Sequence, residues 1–342
     1  MKRSTVLTVL AGLLVITAFV LAGCAGEEGA EGPAGAQGAP GPQGPEGATG
    51  PPGEAVTTAD LSCTECHTED SLITGKQTAW SESLHGTGGA YARGGSSSCV
   101  GCHSGGGFSE MIAAGLKPNE LEAGDPNPTR QDCRACHQVH TSFTAADWAL
   151  ETTEPVDFYA FEGVTFDGGM GNLCANCHQP RRGIAEAVDG MIEITSSHWG
   201  PHHGGQGSML LGIAGAGDVE GSPSTHYAMV EDTCVGCHLG ENDDHTFEPD
   251  VAACQACHSG AEDLDINGVQ TEVQAKLDEL EEGLIALGWL DEEGHPAVTS
   301  VPEDQAAALW NWIYIAHEDG SLGVHNPAYT LALLEAGLAA LP

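Results

Sequence analysis

Positive charge and aromatic side chains are both scarce in this 342-residue chain: 10 Lys and Arg stand against 49 Asp and Glu, and Phe, Trp and Tyr make up 5%. The formal charge of -39 excludes nucleic acid and anionic lipid headgroups as partners, because both are held by Lys and Arg on phosphate. So few large apolar side chains cannot fill a conventional core for a chain of this length, and something other than protein must supply buried surface. The chain is rich instead in Gly, with 48, in Cys, with 13, and in His, with 16.

The first residues read as an address. Lys2 and Arg3 precede an apolar run from Thr5 to Ala22 that is shorter than a typical membrane-spanning helix, the pattern of an export signal. It ends on Leu21-Ala22-Gly23-Cys24, which resembles a bacterial lipobox; cleavage before Cys24 would leave that cysteine as the lipidated terminus, and the alternative is an uncleaved anchor. Ala25 after Cys24 tilts the expected address toward the outer membrane over the inner one. From Gly26 to Gly53, Gly occupies every third position, the register in which only Gly fits the axis of a collagen triple helix. Two readings stay open, a single-chain polyproline-like tether reaching roughly 85 Å or a trimerising stalk. The expected organisation is a signal peptide over 1–23, anchor and stalk over 24–55, a cofactor domain over 56–262, and C-terminal helices over 263–342.

The other twelve cysteines form six C-x-x-C pairs, each followed at once by histidine: Cys63/Cys66/His67, Cys99/Cys102/His103, Cys133/Cys136/His137, Cys174/Cys177/His178, Cys234/Cys237/His238 and Cys254/Cys257/His258. C-x-x-C-H is the attachment signature of haem c, in which two thiols add to the porphyrin vinyl groups and the adjacent imidazole reaches iron. At the chain's overall His frequency, six of six by chance has a probability on the order of 1 in 10^8. Zinc would need four ligands per site, and structural disulfides would tie distant loops, so neither fits six local pairs. The expectation is six covalent haems whose macrocycles supply the missing core.

Ten histidines remain to close the second face of each iron. His85, His140, His226, His245 and His325 are expected distal ligands, since most lie in short segments near an attachment motif. In SSHWGPHHGGQG, His203 is preferred, then His202, then His198. His295 and His317 read as surface residues, and Met209 and Met229 rank below every histidine as axial ligands.

After the last motif the sequence turns periodic. Val269, Val273, Leu277, Leu280, Leu284 and Leu287 mark a helix that Asn267 would cap and Gly288 would end. A second helix is expected from about Pro302 to Gly320, and a third from an Asn326 cap and Pro327 to about Leu338. The predicted fold is mainly α with extensive loops, organised around haems and closed by a C-terminal bundle. Here LWNWIYIAHEDGS and GVHNPAYTLALLEAG, following the last motif, resemble the C-terminal part of the pentahaem nitrite reductase and octahaem cytochrome superfamily over about residues 225 to 342, with the GPHH region a weaker match. The resemblance implies a helical bundle, often a subunit contact, and a distal role for His325. That family's reductases leave an iron open, often beside a C-x-x-C-K motif that this chain lacks, and spare histidines outnumber the irons. No catalytic residue is therefore expected.

The resulting expectation is an exported, membrane-tethered electron carrier that joins a membrane or periplasmic donor to an external acceptor. Its partners would be redox proteins or external acceptors, with a trimer through the stalk or a homo-oligomer through the C-terminal helices. A reductase of small nitrogen or sulfur compounds with one open haem, and a subunit of a cytochrome filament, are the alternatives.

Overall fold

A computed structural model describes residues 72–342 apart from His203 and Glu241. The signal segment, Cys24, the Gly-X-Y stretch and the first motif (Cys63, Cys66, His67) lie outside the described residues. The described residues all fall within one compact unit. Its helices are α1 (Leu72–Glu82), α2 (Leu84–Thr87), α3 (Val100–His103), α4 (Gly105–Ala114), α5 (Cys133–Cys136), α6 (Asn172–Ala175), α7 (Gln206–Leu211), α8 (Thr225–Met229), α9 (Cys234–His238), α10 (Val251–Gln255), α11 (Val269–Ala286), α12 (Ala306–Ile313) and α13 (Pro327–Ala339). Two antiparallel strand pairs complete the regular structure, β1 (Val156–Asp157) with β2 (Thr165–Phe166) and β3 (Met191–Glu193) with β4 (Ser300–Pro302). Among the described residues no helix is long and apolar enough to cross a membrane.

Five of the short helices are the attachment motifs themselves. Each is about one turn long, too short to be stable by itself. Capping compensates: Asp132 accepts the Arg134 amide at 3.0 Å to start α5, and Asp250 accepts the Ala253 amide at 3.2 Å to start α10. A side chain at Gly107 would run into Val100, so glycine lets α4 lie directly on the α3 turn.

The C-terminal part folds by a different rule. Val273, Leu277, Leu280 and Leu284 lie at most 3% exposed along α11, at the predicted spacing, and meet Leu333 and Leu334 of α13 and the wholly buried α12. Trp310 packs edge to face on Trp199 at 4.9 Å and donates from Nε1 to the Ala214 carbonyl at 2.8 Å. Buried Asn311 is fully engaged, donating to the carbonyls of Ala216 and Leu333 and accepting the Ala216 amide. These bonds lash the loop over residues 212–217 to the bundle.

Three local expectations change. Asn267 does not cap α11: it sits in the left-handed region at φ 57, and Asp265 accepts the Gln270 and Thr271 amides instead. Leu287 stays 39% exposed, outside the buried stripe. The segment from Ser300 starts as a strand, because Met191–Glu193 is available to pair with it, and the helix begins only at Ala306. That helix then widens into a π-turn over Tyr314–Asp319 before Gly320 ends it at φ 68. Asn326 does cap α13, accepting the Tyr329 amide at 3.3 Å.

Candidate metal centres

Each described motif is wound so that its first cysteine and its histidine share one turn. The amides of His103, His137, His178 and His258 bond back to the carbonyls of Cys99, Cys133, Cys174 and Cys254 at 2.8–2.9 Å. An i to i+4 spacing puts thiol and imidazole on one face of the turn, where a single planar group can meet both.

The imidazoles are then fixed through one nitrogen. Nδ1 of His137 donates to the Trp148 carbonyl at 2.7 Å, His238 to Phe247 at 2.7 Å, His226 to Val324 at 2.6 Å and His245 to Asp243 at 2.7 Å. Carbonyl oxygens only accept, so Nδ1 carries the proton and Nε2 keeps its lone pair. His178 Nδ1 bonds Gln206 Oε1 at 2.9 Å, while the Gln206 amide nitrogen donates to the Glu318 and Asp319 carbonyls. His325 Nδ1 lies 2.6 Å from the buried Asp319 carboxylate, whose other oxygen accepts from Ser321. Burial lowers the pKa of His103, His178, His238 and His245, and burial followed by the neighbouring His178 brings His85 down to about 4. For His325 burial also pulls down, but Asp319 outweighs it and the net direction is up. The lowered set is held as neutral imidazole, the form that ligates metal.

All five described motif histidines face a second imidazole. Ring centroids are 6.1 Å apart for His178 and His85, 6.2 Å for His103 and His202, 6.2 Å for His137 and His245, 6.3 Å for His238 and His325, and 6.4 Å for His258 and His226. Two imidazoles on opposite faces of one iron, each about 2.0 Å from it, place their centroids about 6.3 Å apart. The spacing and the thiols beside it fit haem c in every described motif, and so do the tautomers wherever Nδ1 is bonded.

The motifs also touch one another. The Cys102 and Cys177 side chains lie close enough to interact, as do those of Cys174 and Cys234. Cys254 and Cys257 lie close enough to raise the Cys237 thiol pKa, after burial, and Cys136 acts in the same way on Cys174 and Cys177. The motif at residues 174–178 is the junction of the set, with neighbours at 99–103, 133–137 and 234–238, and the last motif extends from 234–238.

Four distal candidates read from the sequence, His85, His226, His245 and His325, stand opposite motif histidines. In the GPHH segment it is His202, ranked second, that faces His103, at a strained φ of 85; His203 lies outside the described residues. His198 stands edge-on to His295, and His140 stacks on Phe143 at 5.5 Å. Met209 is buried in the C-terminal core, where Thr330 Oγ1 donates to its sulfur, and Met229 is 74% exposed. Sequence reading missed Gln206 and Asp319, the side chains that orient His178 and His325. Nothing in the sequence marks an orienting carbonyl such as those of Trp148, Phe247 or Val324.

Residues 55–149 match the cytochrome c3 family. No curated protein matches the chain. Among solved structures, the outer cell wall cytochrome OcwA shares the fold with a TM-score of 0.50 and 21% identity, over 78% of this chain and 50% of that one, so the present chain spans half the length of that protein. The match over residues 55–149 and the shared fold support a multihaem c-type cytochrome with covalently bound haem c.

Proposed function

We propose that this protein is an exported hexahaem cytochrome that carries electrons through a chain of bis-histidine centres between a membrane or periplasmic donor and an external acceptor. The observation that carries this reading is the recurrence of paired imidazoles 6.1–6.4 Å apart at all five described motifs. Bound haem c supplies a one-electron iron couple whose potential bis-histidine ligation sets low. The chain's own residues do the rest: thiols fix each macrocycle, Nε2 atoms close both faces, and carbonyls, Gln206 and Asp319 hold the rings in place. The sixth centre rests on Cys63, Cys66 and His67, and takes its second imidazole from His140 or His203.

A catalytic haem needs a free coordination position, and two imidazoles per iron remove it. This argues against a reductase in spite of the resemblance of residues 225 to 342. The export signal, the lipobox-like Cys24 and the Gly-X-Y stalk favour the cell envelope, in keeping with the outer cell wall location in the name of OcwA. The acidic surface suits cationic patches on redox partners, or metal ions as acceptors.

The test is a pyridine haemochrome count with EPR of the purified holoprotein. Six haems per chain, all low-spin and unreactive to nitrite, hydroxylamine and CO, are expected, and His85→Ala should convert one haem per chain to a high-spin, CO-binding form. A wild-type high-spin haem that binds those ligands would overturn the reading.

A further inference from the structure

Of the sixteen histidines, six belong to motifs, five face them, and His140 and His203 are the two candidates for the remaining centre. Three more have no place in this scheme: His198, His295 and His317. They come from segments far apart in the chain, yet the fold gathers them at one place on the C-terminal part.

The place is a tight loop closed by the bridge between Leu290 and Pro296. Asp291 Oδ1 accepts the Glu293 and His295 amides at 2.9 and 2.8 Å, and the Asp291 amide donates to the His295 carbonyl. His295 Nδ1 consequently stands 3.7 Å from both Asp291 Oδ1 and Glu293 Oε2, and the ligand atoms of these three residues all lie within 4.8 Å of one another. His198 approaches His295 edge to face at 5.7 Å. His317 arrives from the π-turn: Gly294, at φ 78, lets the loop come so close that a Cβ there would sit 2.8 Å from His317 Nε2 and 2.9 Å from the Trp312 ring. His317 and His295 are near enough to interact electrostatically.

Ligand atoms around one zinc, each about 2.0–2.1 Å from it, stand about 3.3 Å apart, so small side-chain rotations close this cluster on a cation. Three imidazoles with two carboxylates suit a late first-row dication and not calcium or magnesium, which take oxygen ligands. Both carboxylates and His317 are exposed, so the cation can enter from solvent, and the net charge of -39 draws it in.

We infer that His198, His295 and His317, with Asp291 and Glu293, form a binding site for a zinc-class divalent cation separate from the haem centres. The cation clips the segment before Trp199, the loop at residues 290–296 and the π-turn at 314–319 into one unit.

The test uses the holoprotein, stripped of loose metal with a chelator and titrated with Zn2+ by calorimetry in millimolar Mg2+, which saturates sites made of carboxylates alone. One Zn2+ per chain is expected, with imidazole scattering at the zinc absorption edge and a raised Tm. His295→Ala and His317→Ala should each weaken binding at least about 100-fold. Asp291→Asn keeps the loop's acceptor and should weaken it about tenfold. Soret and EPR spectra should be unchanged in every variant, which separates this site from the haem assignment. Absence of stoichiometric binding, an oxygen-only zinc shell, or wild-type affinity in either histidine variant would overturn the inference.

Discussion

Residues 72–180 and the C-terminal bundle solve the same problem with different materials. The first region holds buried apolar clusters of only a few residues, one around Val100, Phe108 and Met111 and another around Phe158 and Phe166. The second buries Trp310, Tyr314, Leu309, Leu333 and Leu334 completely, in one continuous cluster. A chain of short turns cannot offset its conformational entropy with so little burial, so the first region depends on its cofactors, whereas the bundle has a core of its own. Fold and cofactor attachment are thus one event in half of the molecule and two events in the other half.

Removing the haems should break the comparison most visibly. A chain made without cofactor attachment is expected to lose amide-exchange protection throughout residues 72–180 while α11, α12 and α13 keep theirs, as read by hydrogen exchange and mass spectrometry; uniform loss would mean the bundle also needs haem. Next in size, Trp310→Ala should cost about 3–5 kcal/mol by leaving a cavity and an unpaired Ala214 carbonyl. Urea unfolding followed by far-UV circular dichroism should show that loss, with low-spin EPR signals unchanged in native buffer.

The seam between the regions is sharpened by pH. Burial, only partly opposed by Arg182, raises the Glu318 carboxyl to about 8, well above its unfolded value. The folded protein therefore holds a proton that the unfolded chain releases from about pH 4.5 upward, so this group's contribution is full in acid and fades as pH rises toward 8. Glu318→Gln should remove that slope, up to about 1.4 kcal/mol per pH unit, from stability measured between pH 5 and 8 by denaturant titration. Smallest is Asp319→Asn. It leaves an oxygen for His325 but withdraws the charge that enriches the imidazole, so one potential in a spectroelectrochemical titration should rise by about 60 mV, a decade in a one-electron equilibrium.

Much of this was legible in the sequence, and the limits have physical causes. The C-x-x-C-H turns are local chemistry, and the stripe from Val273 to Leu284 is local periodicity, so both read directly. Pairing is not local. His85 lies just ahead of the Cys99 motif but faces His178, and His245 faces His137 from a hundred residues downstream. Adjacent His202 and His203 are equivalent on paper, and only the backbone turn at φ 85 sets His202 against His103. Asp265 outcompetes Asn267 as a cap because the chain reverses at Asn267 and brings the carboxylate back over the helix start.

The angles between paired rings carry a last consequence. His137 and His245 lie 22° from parallel, whereas the rings of His85 with His178, His103 with His202, and His226 with His258 are 70–75° apart. Parallel ligand planes split two of the iron d orbitals, and crossed planes leave those orbitals nearly equal in energy. Among the described pairs, with His238 and His325 intermediate at 39°, that of His137 and His245 is nearest to parallel, and an iron held there would stand apart in a spectrum where chemically identical sites would otherwise overlap.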